Sequence, residues 1–522
     1  MHESPPDRWR VLAVVCAALV VVVIDVTVLH VAAPAITEDL QPSAVGLLWI
    51  IDIYPLVVAP LLVATGTLGD RLGRRRMLVA GMVVFGIASG LCAFAPSTAA
   101  LIAARALMGV GGAMIMPSTM SIVRDVFRDR REGVRAVGIW SATLAAGAAV
   151  GPLVGGFLVE HFWWGSVFLV NVPVLALVLP FALRILPESR AEDPPPWDLT
   201  SIAMVAAGVL GLAFGIKHGA RHGFGDPLAL VTLVLAVALL FAFTRRQLRM
   251  PDPVLDVRLF ASTTFSVAVG CVVLSMFGLV GLELFFAQYL QLVLGLEPLA
   301  AALRLMPLAA ATLAGSLLAA RLLHGLGTRI VVGGGLTLTT VAMIPLLWLG
   351  VDDSYIILWP PLVAMGFGLE IALVAANDAI ISAVSADRAG GAAAIEETAY
   401  ELGGGLGVAV LGSIVTAGYT ANLTAVPGVP SGEMTAAQES LGRAAEVAAG
   451  LPAAAGDPLV ELAQTAFVDG LHLAIAVSIV LLGASALLAA TLLSGGGGGR
   501  EEPEDDPGAT APGPQRGAAT AS

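Results

Sequence analysis

The chain has 522 residues, of which 57% are hydrophobic and 13% are charged, and its mean hydropathy is +0.89. These values lie far outside the range of soluble globular proteins and indicate a membrane protein. The formal net charge of −12 comes without a basic domain, so nucleic acid is not an expected partner.

Apolar windows long enough to cross a bilayer recur almost without interruption from residue 11 onward. They predict an all-α polytopic membrane protein with fourteen transmembrane helices. The first window is too long, and too clearly followed by others, to be a cleaved signal peptide. The predicted spans are 11–33, 46–68, 77–97, 99–122, 135–158, 165–184, 199–217, 227–244, 264–290, 300–322, 330–350, 355–384, 389–418 and 467–494.

The basic residues predict the orientation of these spans. With the N-terminus in the cytoplasm, most of the 27 lysine and arginine residues fall in cytoplasmic tails and loops, which is the bias expected of a multi-pass membrane protein. Because the number of spans is even, both termini are expected in the cytoplasm. Lys217, the sole lysine, is expected on the opposite side, at the outer end of the seventh span.

The first two spans each contain one acid, Asp25 and Asp52, and a distinctive loop follows the second span. A carboxylate at the centre of a membrane helix costs roughly 2.5–3.5 kcal/mol on insertion scales, so each acid must face a wet cavity, pair with a base or hold a proton. The loop reads Gly66-Thr-Leu-Gly-Asp70-Arg71-Leu-Gly73-Arg74-Arg75-Arg76. Its acid and arginines can form charge-assisted contacts that join one helix bundle to another. A basic loop that only sets the topology is the alternative.

The fourth and fifth spans contain a base and a row of glycines. Arg105 is the one base well placed within the N-terminal spans, and we expect it to pair with Asp25 in one state and to release it on protonation. Gly147, Gly151 and Gly155 share one helix face, which lets another helix pack closely. Pro152 in the same helix removes a backbone hydrogen bond and can kink it. Tight packing alone is the simpler explanation of this row.

Charge is most concentrated in the thirteenth span, where Glu396, Glu397 and Glu401 lie within six positions of an apolar run. Glu397 and Glu401 are four residues apart and share a helix face, whereas Glu396 is turned by about 100° from Glu397. Such a group can hold a proton near neutral pH and lose it when a cation arrives. For Glu396, a hydrogen bond between helices is an equal alternative. We expect Asp25 and Asp52 to face this cluster across a central cavity.

Three further acids lie within predicted spans: Asp378, Glu283 and Glu370. Asp378 is close to the cytoplasmic end of its span, where pairing with Arg388 is the alternative to a role in coupling. The roles of Glu283 and Glu370 stay open.

Two segments are predicted to lie outside the membrane: the outer loop 419–466, which can include short surface helices, and the Gly-, Pro- and acid-rich tail 495–522, which is disordered by composition. No cofactor or metal site is predicted, because Cys16, Cys92 and Cys271 lie singly in different spans. The sole lysine is followed by His218, so it cannot complete a Gly-x-x-x-x-Gly-Lys-Ser/Thr phosphate loop. Energy for transport would therefore come from an ion gradient or a separate subunit.

Together these motifs resemble the major facilitator superfamily. The Gly66–Arg76 loop is similar to its signature loop, and Leu101-x-x-x-Arg105-x-x-x-Gly109-x-Gly111 is similar to its fourth-helix motif, with Met108 at the usual glutamine position. Gly147-x-x-x-Gly151-Pro152-x-x-Gly155-Gly156 resembles the motif associated with antiporters.

Other motifs resemble one branch of this superfamily. Ile24-Asp25-Val-Thr27-Val-Leu-His30-Val-Ala-Ala-Pro34 is similar to the first-helix motif of the fourteen-span drug:proton antiporters, with His30 at the usual asparagine position. Trp49-Ile-Ile-Asp52-Ile-Tyr54 and the Glu396–Glu401 cluster resemble the members that export quaternary ammonium compounds, dyes and viologens.

The resemblance implies the major facilitator fold, with two six-helix bundles and two helices inserted between them. The loop Arg321-Leu-Leu-His324-Gly-Leu-Gly327-Thr-Arg329 occupies the place of a second, degenerate copy of the Gly66–Arg76 loop, which supports a duplication. The expected regions are a cytoplasmic N-terminus (1–10), an N-terminal bundle (11–184), two inserted helices (199–244), a C-terminal bundle that includes the outer loop (264–494) and a cytoplasmic tail (495–522).

The implied function is a proton-coupled multidrug efflux antiporter of the bacterial cytoplasmic membrane that exports lipophilic cations by alternating access. Its expected partners are small lipophilic molecules, protons and the lipid bilayer, and we expect a monomer. Export of one antibiotic, or of an anionic or neutral metabolite, is the alternative within transport. A non-transporting envelope scaffold is the alternative of another class, and no nucleophile–base pair indicates an enzyme. The expected coupling residues are Asp25, Asp52, Arg105, Asp378, Glu396, Glu397 and Glu401, and the expected gating residues are Gly66, Asp70, Arg71, Gly73 and Arg74.

Overall fold

The structure is a computed structural model that describes residues 8–127, 129–190, 198–251, 253–351, 355–384 and 389–493. The predicted tail 495–522, Arg388 and all but the last three residues of the predicted N-terminal segment 1–10 lie outside the described residues. Within the described part the regular structure is helical. This is expected in lipid, where a helix satisfies its backbone hydrogen bonds internally.

Fourteen helical segments of the described chain are long and apolar enough to cross a membrane, which confirms the predicted number. The α-helices are α1 (Arg8–Leu40), α2 (Ala44–Leu72), α3 (Arg74–Ala93), α4 (Thr98–Val126), α5 (Arg130–His161), α6 (Ser166–Leu169), α7 (Asn171–Ile185), α8 (Leu199–His222), α9 (Pro227–Arg249), α10 (Thr263–Gln288), α11 (Pro298–Leu326), α12 (Thr328–Met343), α13 (Trp359–Ser382), α14 (Ala389–Asn422), α15 (Ser431–Ala437), α16 (Leu441–Ala449) and α17 (Ala453–Leu492). The sixth membrane segment combines α6 with α7, and short non-α turns lengthen α10 and α12.

Helix packing divides the molecule into an N-terminal half (α1–α7), an inserted pair (α8 and α9) and a C-terminal half (α10–α17). In the N-terminal half, α1 packs on α5, α2 on α4, and α3 on both α4 and α7. The C-terminal half repeats this order, with α10 on α14, α11 on α13, and α12 on both α13 and α17. The halves meet through α2 against α14 and α5 against α11, which are equivalent pairs under this repeat.

The two copies of the loop motif also have matching geometry. Gly73, between α2 and α3, has a φ of +116°, and Gly327, between α11 and α12, has a φ of +79°. Each glycine donates its backbone N–H to the carbonyl four residues earlier, at 2.9 Å in both cases. A positive φ is readily adopted by glycine alone, so the retained glycine explains why this copy stays recognisable although His324 has replaced the acid.

The helices run between two ends of the molecule. The Arg74 end contains the loop with Asp70 and Arg74, and the Asp39 end contains the termini of α1 and α6, where Trp164 donates a hydrogen bond to Asp39 at 2.5 Å. Several contacts between the halves lie at the Asp39 end. Gln291 donates to the carbonyl of Val31 at 3.1 Å, the N–H of Leu299 donates to Glu160 at 3.2 Å, and Gln41 donates to Glu446. The halves are thus joined at the Asp39 end.

The connection between α14 and α17 is shorter than the predicted loop 419–466. Helix α14 continues to Asn422 and α17 begins at Ala453, so the connection covers residues 423–452 and includes the short helices α15 and α16. Both long helices extend past their apolar cores because neighbouring chain covers them: the Tyr419 hydroxyl donates to the carbonyl of Ala437 at 2.8 Å. Hydropathy alone places a helix boundary where polar residues begin. It therefore underestimates the length of a helix whose polar end packs on other parts of the protein.

The inserted pair is held together at the Arg74 end by a carboxylate–guanidinium contact. Asp198, the N-cap of α8, accepts hydrogen bonds from Arg246 of α9 at 3.0 and 3.1 Å. These hydrogen bonds with Arg246 lower the pKa of Asp198 to about 2. Helix α8 also packs against α2 and α14, so the inserted pair contacts both halves.

Candidate functional site

Asp25 of α1 lies in a buried polar network of the N-terminal half. The side chains of Asp25 and Arg105 are 0% and 1% exposed, and Nη1 of Arg105 donates to Oδ2 of Asp25. Asn171 donates to the other Asp25 oxygen at 3.2 Å and to Ser89 at 3.0 Å. Arg105 also donates to the carbonyl of Ile50 at 3.2 Å. Each charge in this network thus has a partner, as a charge buried from water requires, and the expected pairing of Asp25 with Arg105 is present.

Tyr54 of α2 lies between this network and the glutamates of the C-terminal half. The guanidinium carbon of Arg105 is 4.9 Å from the centre of the Tyr54 ring. The charges of both Asp25 and Glu401 act on the Tyr54 hydroxyl. That hydroxyl is buried and has no hydrogen-bond partner among the described residues. Tyr54 therefore connects the Asp25 network of one half with an acid of the other.

Asp52 has a partner that the sequence did not lead us to expect. Its side chain is 0% exposed, and Oδ1 accepts a hydrogen bond from Nζ of Lys217 at 2.7 Å. The Lys217 ammonium group also lies 3.8 Å from the centre of the Trp49 ring. Lys217 is therefore a buried residue within α8, whereas the sequence placed it at the end of its span. The reason is that α8 continues to His222, past the last residue of the predicted span.

The glutamates of α14 lie on a helix that packs against α2 of the N-terminal half. Glu396, Glu397 and Glu401 are partly buried. Arg124, near the Arg74 end of α4, is the base whose charge acts on Glu396 and Glu397. Asp25 and Asp52, which we expect to face this cluster, are fully buried against Arg105 and Lys217 in this conformation.

The acid cluster extends to Glu370 of α13. Tyr400 lies within range of the charges of Glu370 and Glu396, and Glu370 is hydrogen-bonded to Ser316 of α11. Asp378 is exposed near the Arg74 end of α13, and its alternative partner Arg388 lies outside the described residues.

A second contact between the halves involves Glu283, whose role the sequence left open. Nδ1 of His30 in α1 lies 3.7 Å from Oε2 of Glu283 in α10, and the two side chains are 2% and 14% exposed. This distance is too long for a hydrogen bond but close enough for an ion pair when the histidine is protonated. His30 and Glu283 are thus a titratable pair across the interface. The signal was present in the sequence, since both residues are ionisable groups within predicted spans.

Charged side chains of the gating motif form a network of ion pairs within the N-terminal half. Asp70 accepts two hydrogen bonds from Arg74, at 2.8 and 3.0 Å, and Arg74 also pairs with Asp125 of α4. The positive φ of Gly73 favours glycine, and the Glu188 carboxylate lies against it, since an added Cβ would be 2.3 Å from Oε1 of Glu188. In this conformation the described contacts of Asp70 and Arg74 join α2, α3 and α4. Gly66 lies in the last turns of α2, against Pro117 of α4.

The glycine row of α5 packs against α1, as its spacing predicts. Added Cβ atoms at Gly147, Gly151 and Gly155 would lie 3.1 Å from Val23, 1.9 Å from Thr27 and 2.6 Å from Val28. Gly156 lies on another face, where a Cβ would be 2.8 Å from Leu299 of α11 in the other half. Pro152 lies within α5. The motif therefore gives α5 close contacts with a neighbour in its own half and with a helix of the other half.

The described chain has two repeated halves of membrane helices, buried ion pairs and an acid cluster where the halves meet. These features together define a multi-pass membrane transporter. The chain belongs to the Major Facilitator Superfamily, whose family model matches residues 15–408. This confirms the predicted family and fold class. Membership of a transporter superfamily also agrees with the prediction that the protein is not an enzyme.

The relatives include a bacterial multidrug efflux pump and a bacterial resistance protein. The chain is 40% identical to the multidrug efflux pump LfrA of Mycolicibacterium smegmatis, covering 93% of this chain and 96% of LfrA. It is 36% identical to the methyl viologen resistance protein SmvA of Salmonella typhimurium, covering 88% and 93% of the two chains. A solved bacterial homolog of the human lysosomal transporter Spinster has a TM-score of 0.68 at 21% identity, covering 94% and 98%, and shows the shared fold. The protein is therefore a multi-pass bacterial membrane transporter for small molecules.

Proposed function

We propose that the protein is a proton-coupled multidrug efflux antiporter that exports lipophilic cations, such as quaternary ammonium compounds, dyes and viologens, by alternating access. The observation that carries this proposal is the acid cluster of α14. The charge of Arg124 acts on Glu396 and Glu397, and the charge of Glu397 in turn acts on Glu401, so the acids of the cluster outnumber the base that acts on it. An excess of acids in a low-dielectric cavity favours binding of either protons or cationic cargo. Competition between the two is what exchange requires.

The relatives support the same class of cargo. The names of LfrA and SmvA refer to multidrug efflux and to methyl viologen, a dication. Glu397 and Glu401 share one face of α14, which suits a cargo with one or two positive charges. Tyr400, which is partly buried and precedes Glu401 in α14, offers an aromatic face that attracts organic cations, whereas the Tyr54 ring is fully buried against Arg105.

The proposed energy source is inward proton movement, which supplies about 2.3 kcal/mol per charge per 100 mV in addition to any pH gradient. Protonation of the glutamates would release the cation, and deprotonation would allow the next one to bind. For coupling, each ligand must favour a different conformation. The Asp25–Arg105 pair is the proposed sensor in the N-terminal half, because protonating Asp25 would free Arg105 to move.

The proposed orientation places the Arg74 end, and both termini, in the cytoplasm, because the basic residues concentrate there. The contacts at the Asp39 end would then close the outer side, and the glutamates would be reached from the cytoplasm. Asp70, Arg71 and Arg74 would regulate movement at the opposite end. The antiporter motif of α5 would limit proton leak by close packing at the interface.

The test is transport of ethidium and methyl viologen into everted vesicles, with proton release measured alongside. Glu397→Gln and Glu401→Gln are expected to reduce pH-driven uptake at least tenfold, because each removes one exchangeable charge, whereas Glu433→Gln, at an exposed site in α15, should have little effect. Unchanged export of both cargos in Glu396→Gln, Glu397→Gln and Glu401→Gln would contradict the role of the cluster. Uptake of neutral or anionic compounds in place of cations would contradict the proposed cargo.

A further inference from the structure

The sole lysine of the chain lies in a site that has the chemistry of a cation-binding site. Lys217 is 1% exposed, and its ammonium group contacts a carboxylate oxygen of Asp52 at 2.7 Å and the face of Trp49 at 3.8 Å. The second oxygen of Asp52 is buried and has no hydrogen-bond partner among the described residues. A carboxylate beside an indole face is the combination that binds organic ammonium ions. Lys217 occupies the place where such an ion would bind.

Attachment of α8 to α2 does not require this pair. Leu56 of α2 already packs against Val209 and Ala213 of α8 in a buried apolar cluster. A buried ion pair adds little net stability compared with apolar side chains of similar size, because both charges lose their hydration. Attachment of α8 to α2 therefore does not explain why this charged pair is present.

The Asp52 site is also adjacent to the acid cluster. Leu402, which follows Glu401 in α14, packs against the same apolar cluster as Trp49. The site thus lies where α2 of the N-terminal half, α8 of the inserted pair and α14 of the C-terminal half meet.

We propose that Asp52 and Trp49 form a cation-binding site of the transporter, and that the ammonium group of Lys217 is a tethered competitor that occupies it in the present conformation. Cargo would enter only when Lys217 withdraws with α8, so the inserted pair would control access to a second acid. While Lys217 is in place, the charge of Asp52 is neutralised. This inference rests on the proposed export of lipophilic cations and identifies a further binding site for the same cargo.

The sole lysine makes the proposal directly testable by amine chemistry on the wild-type, full-length protein. Purified protein in nanodiscs is treated with an acetylating reagent, and modification of Lys217 is followed by mass spectrometry, with the N-terminal α-amino group as internal reference. Tetraphenylphosphonium is the probe cation, and its binding is measured in the same samples by equilibrium dialysis. We expect slow acetylation without probe and a saturable increase of about tenfold with it, the effect of replacing contacts of about 1–2 kcal/mol.

Two variants sharpen the result. Asp52→Asn should leave Lys217 unpaired, so that its acetylation is fast and independent of tetraphenylphosphonium. Lys217→Met should bind the probe more tightly than wild type, and adding Asp52→Asn should remove that gain. If the probe binds but the acetylation of Lys217 does not change, the tethered competitor is refuted while the proposed function stands. If the probe neither binds nor is exported, the proposed cation export fails, and this inference fails with it.

Discussion

The pairing of Asp25 with Arg105 predicts a large and non-additive loss of stability when either partner is removed. Both side chains are almost fully buried, at 0% and 1% exposure. Arg105→Met would leave the Asp25 carboxylate with Asn171 as its remaining described hydrogen-bond donor. Removing one member of a buried ion pair costs about 3–5 kcal/mol, because the other charge stays buried without compensation. The double variant Asp25→Asn/Arg105→Met removes both charges and should recover most of that loss.

The size of the expected change can be expressed as a shift in melting temperature. For a chain larger than about 250 residues, 1 kcal/mol corresponds to about 2 °C or less. Each single variant should therefore melt about 5–10 °C below wild type, and the double variant only a few degrees below it. The coupling free energy between the two positions should be at least about 2 kcal/mol.

The cysteines of the protein provide the assay. Cys92 and Cys271 are 0% and 2% exposed, so a thiol-reactive fluorophore reaches them only when the fold opens, whereas the partly buried Cys16 sets the baseline. Arg76→Gln is the matched control, because it breaks the more exposed pair with Glu188 and should change the stability by less than about 1 kcal/mol. Additive effects of the Asp25 and Arg105 substitutions would refute the reasoning. Melting temperatures equal to that of the control would do so as well.

Two further variants test other contacts. Tyr54→Phe removes a buried hydroxyl that has no partner among the described residues, so the melting temperature of the variant should stay within about 2 °C of wild type. Proton-coupled uptake into vesicles should fall, because the hydroxyl on which the charges of Asp25 and Glu401 act is lost. Unchanged uptake would show that Tyr54 has no part in coupling. Hydrogen bonds with Arg246 lower the pKa of Asp198 to about 2 from its ordinary 3.8, so the stabilisation is fully present above pH 4 and is lost as the pH falls towards 2. Asp198→Asn should therefore melt below wild type at pH 7, with the gap closing between about pH 4 and pH 2, and a gap independent of pH would contradict the assignment.

Much of the architecture could be predicted because hydropathy and small motifs determine it locally. The number of membrane helices follows from apolar length alone, and the glycines at Gly73 and Gly327 mark the equivalent turns of the two halves. The pairing of Asp25 with Arg105 was also accessible, because the N-terminal spans offer one well-placed base. These features depend on the chemistry of one or two helices at a time.

Contacts between the two halves, or between a half and the inserted pair, were beyond the sequence. Lys217 was assigned to the outside because a basic residue at the end of an apolar window usually marks the membrane boundary. The available signal was that the predicted spans contain more acids than bases, so the sole lysine, at the end of a span, was a candidate partner for one of these acids. The His30–Glu283 contact required knowing that α1 meets α10 across the interface. Burial of Asp52 against α8 likewise depends on where the inserted pair packs.

The central claim is that cations and protons compete for the glutamates of α14. The most direct measurement is proton release when tetraphenylphosphonium is added to purified protein in weakly buffered solution with a pH-sensitive dye. We predict that wild type and Glu433→Gln release protons on binding, and that Glu397→Gln/Glu401→Gln releases far fewer although it remains folded. If the double variant released as many protons as wild type, or if wild type bound the cation without releasing any, the exchange proposed at this cluster would be contradicted.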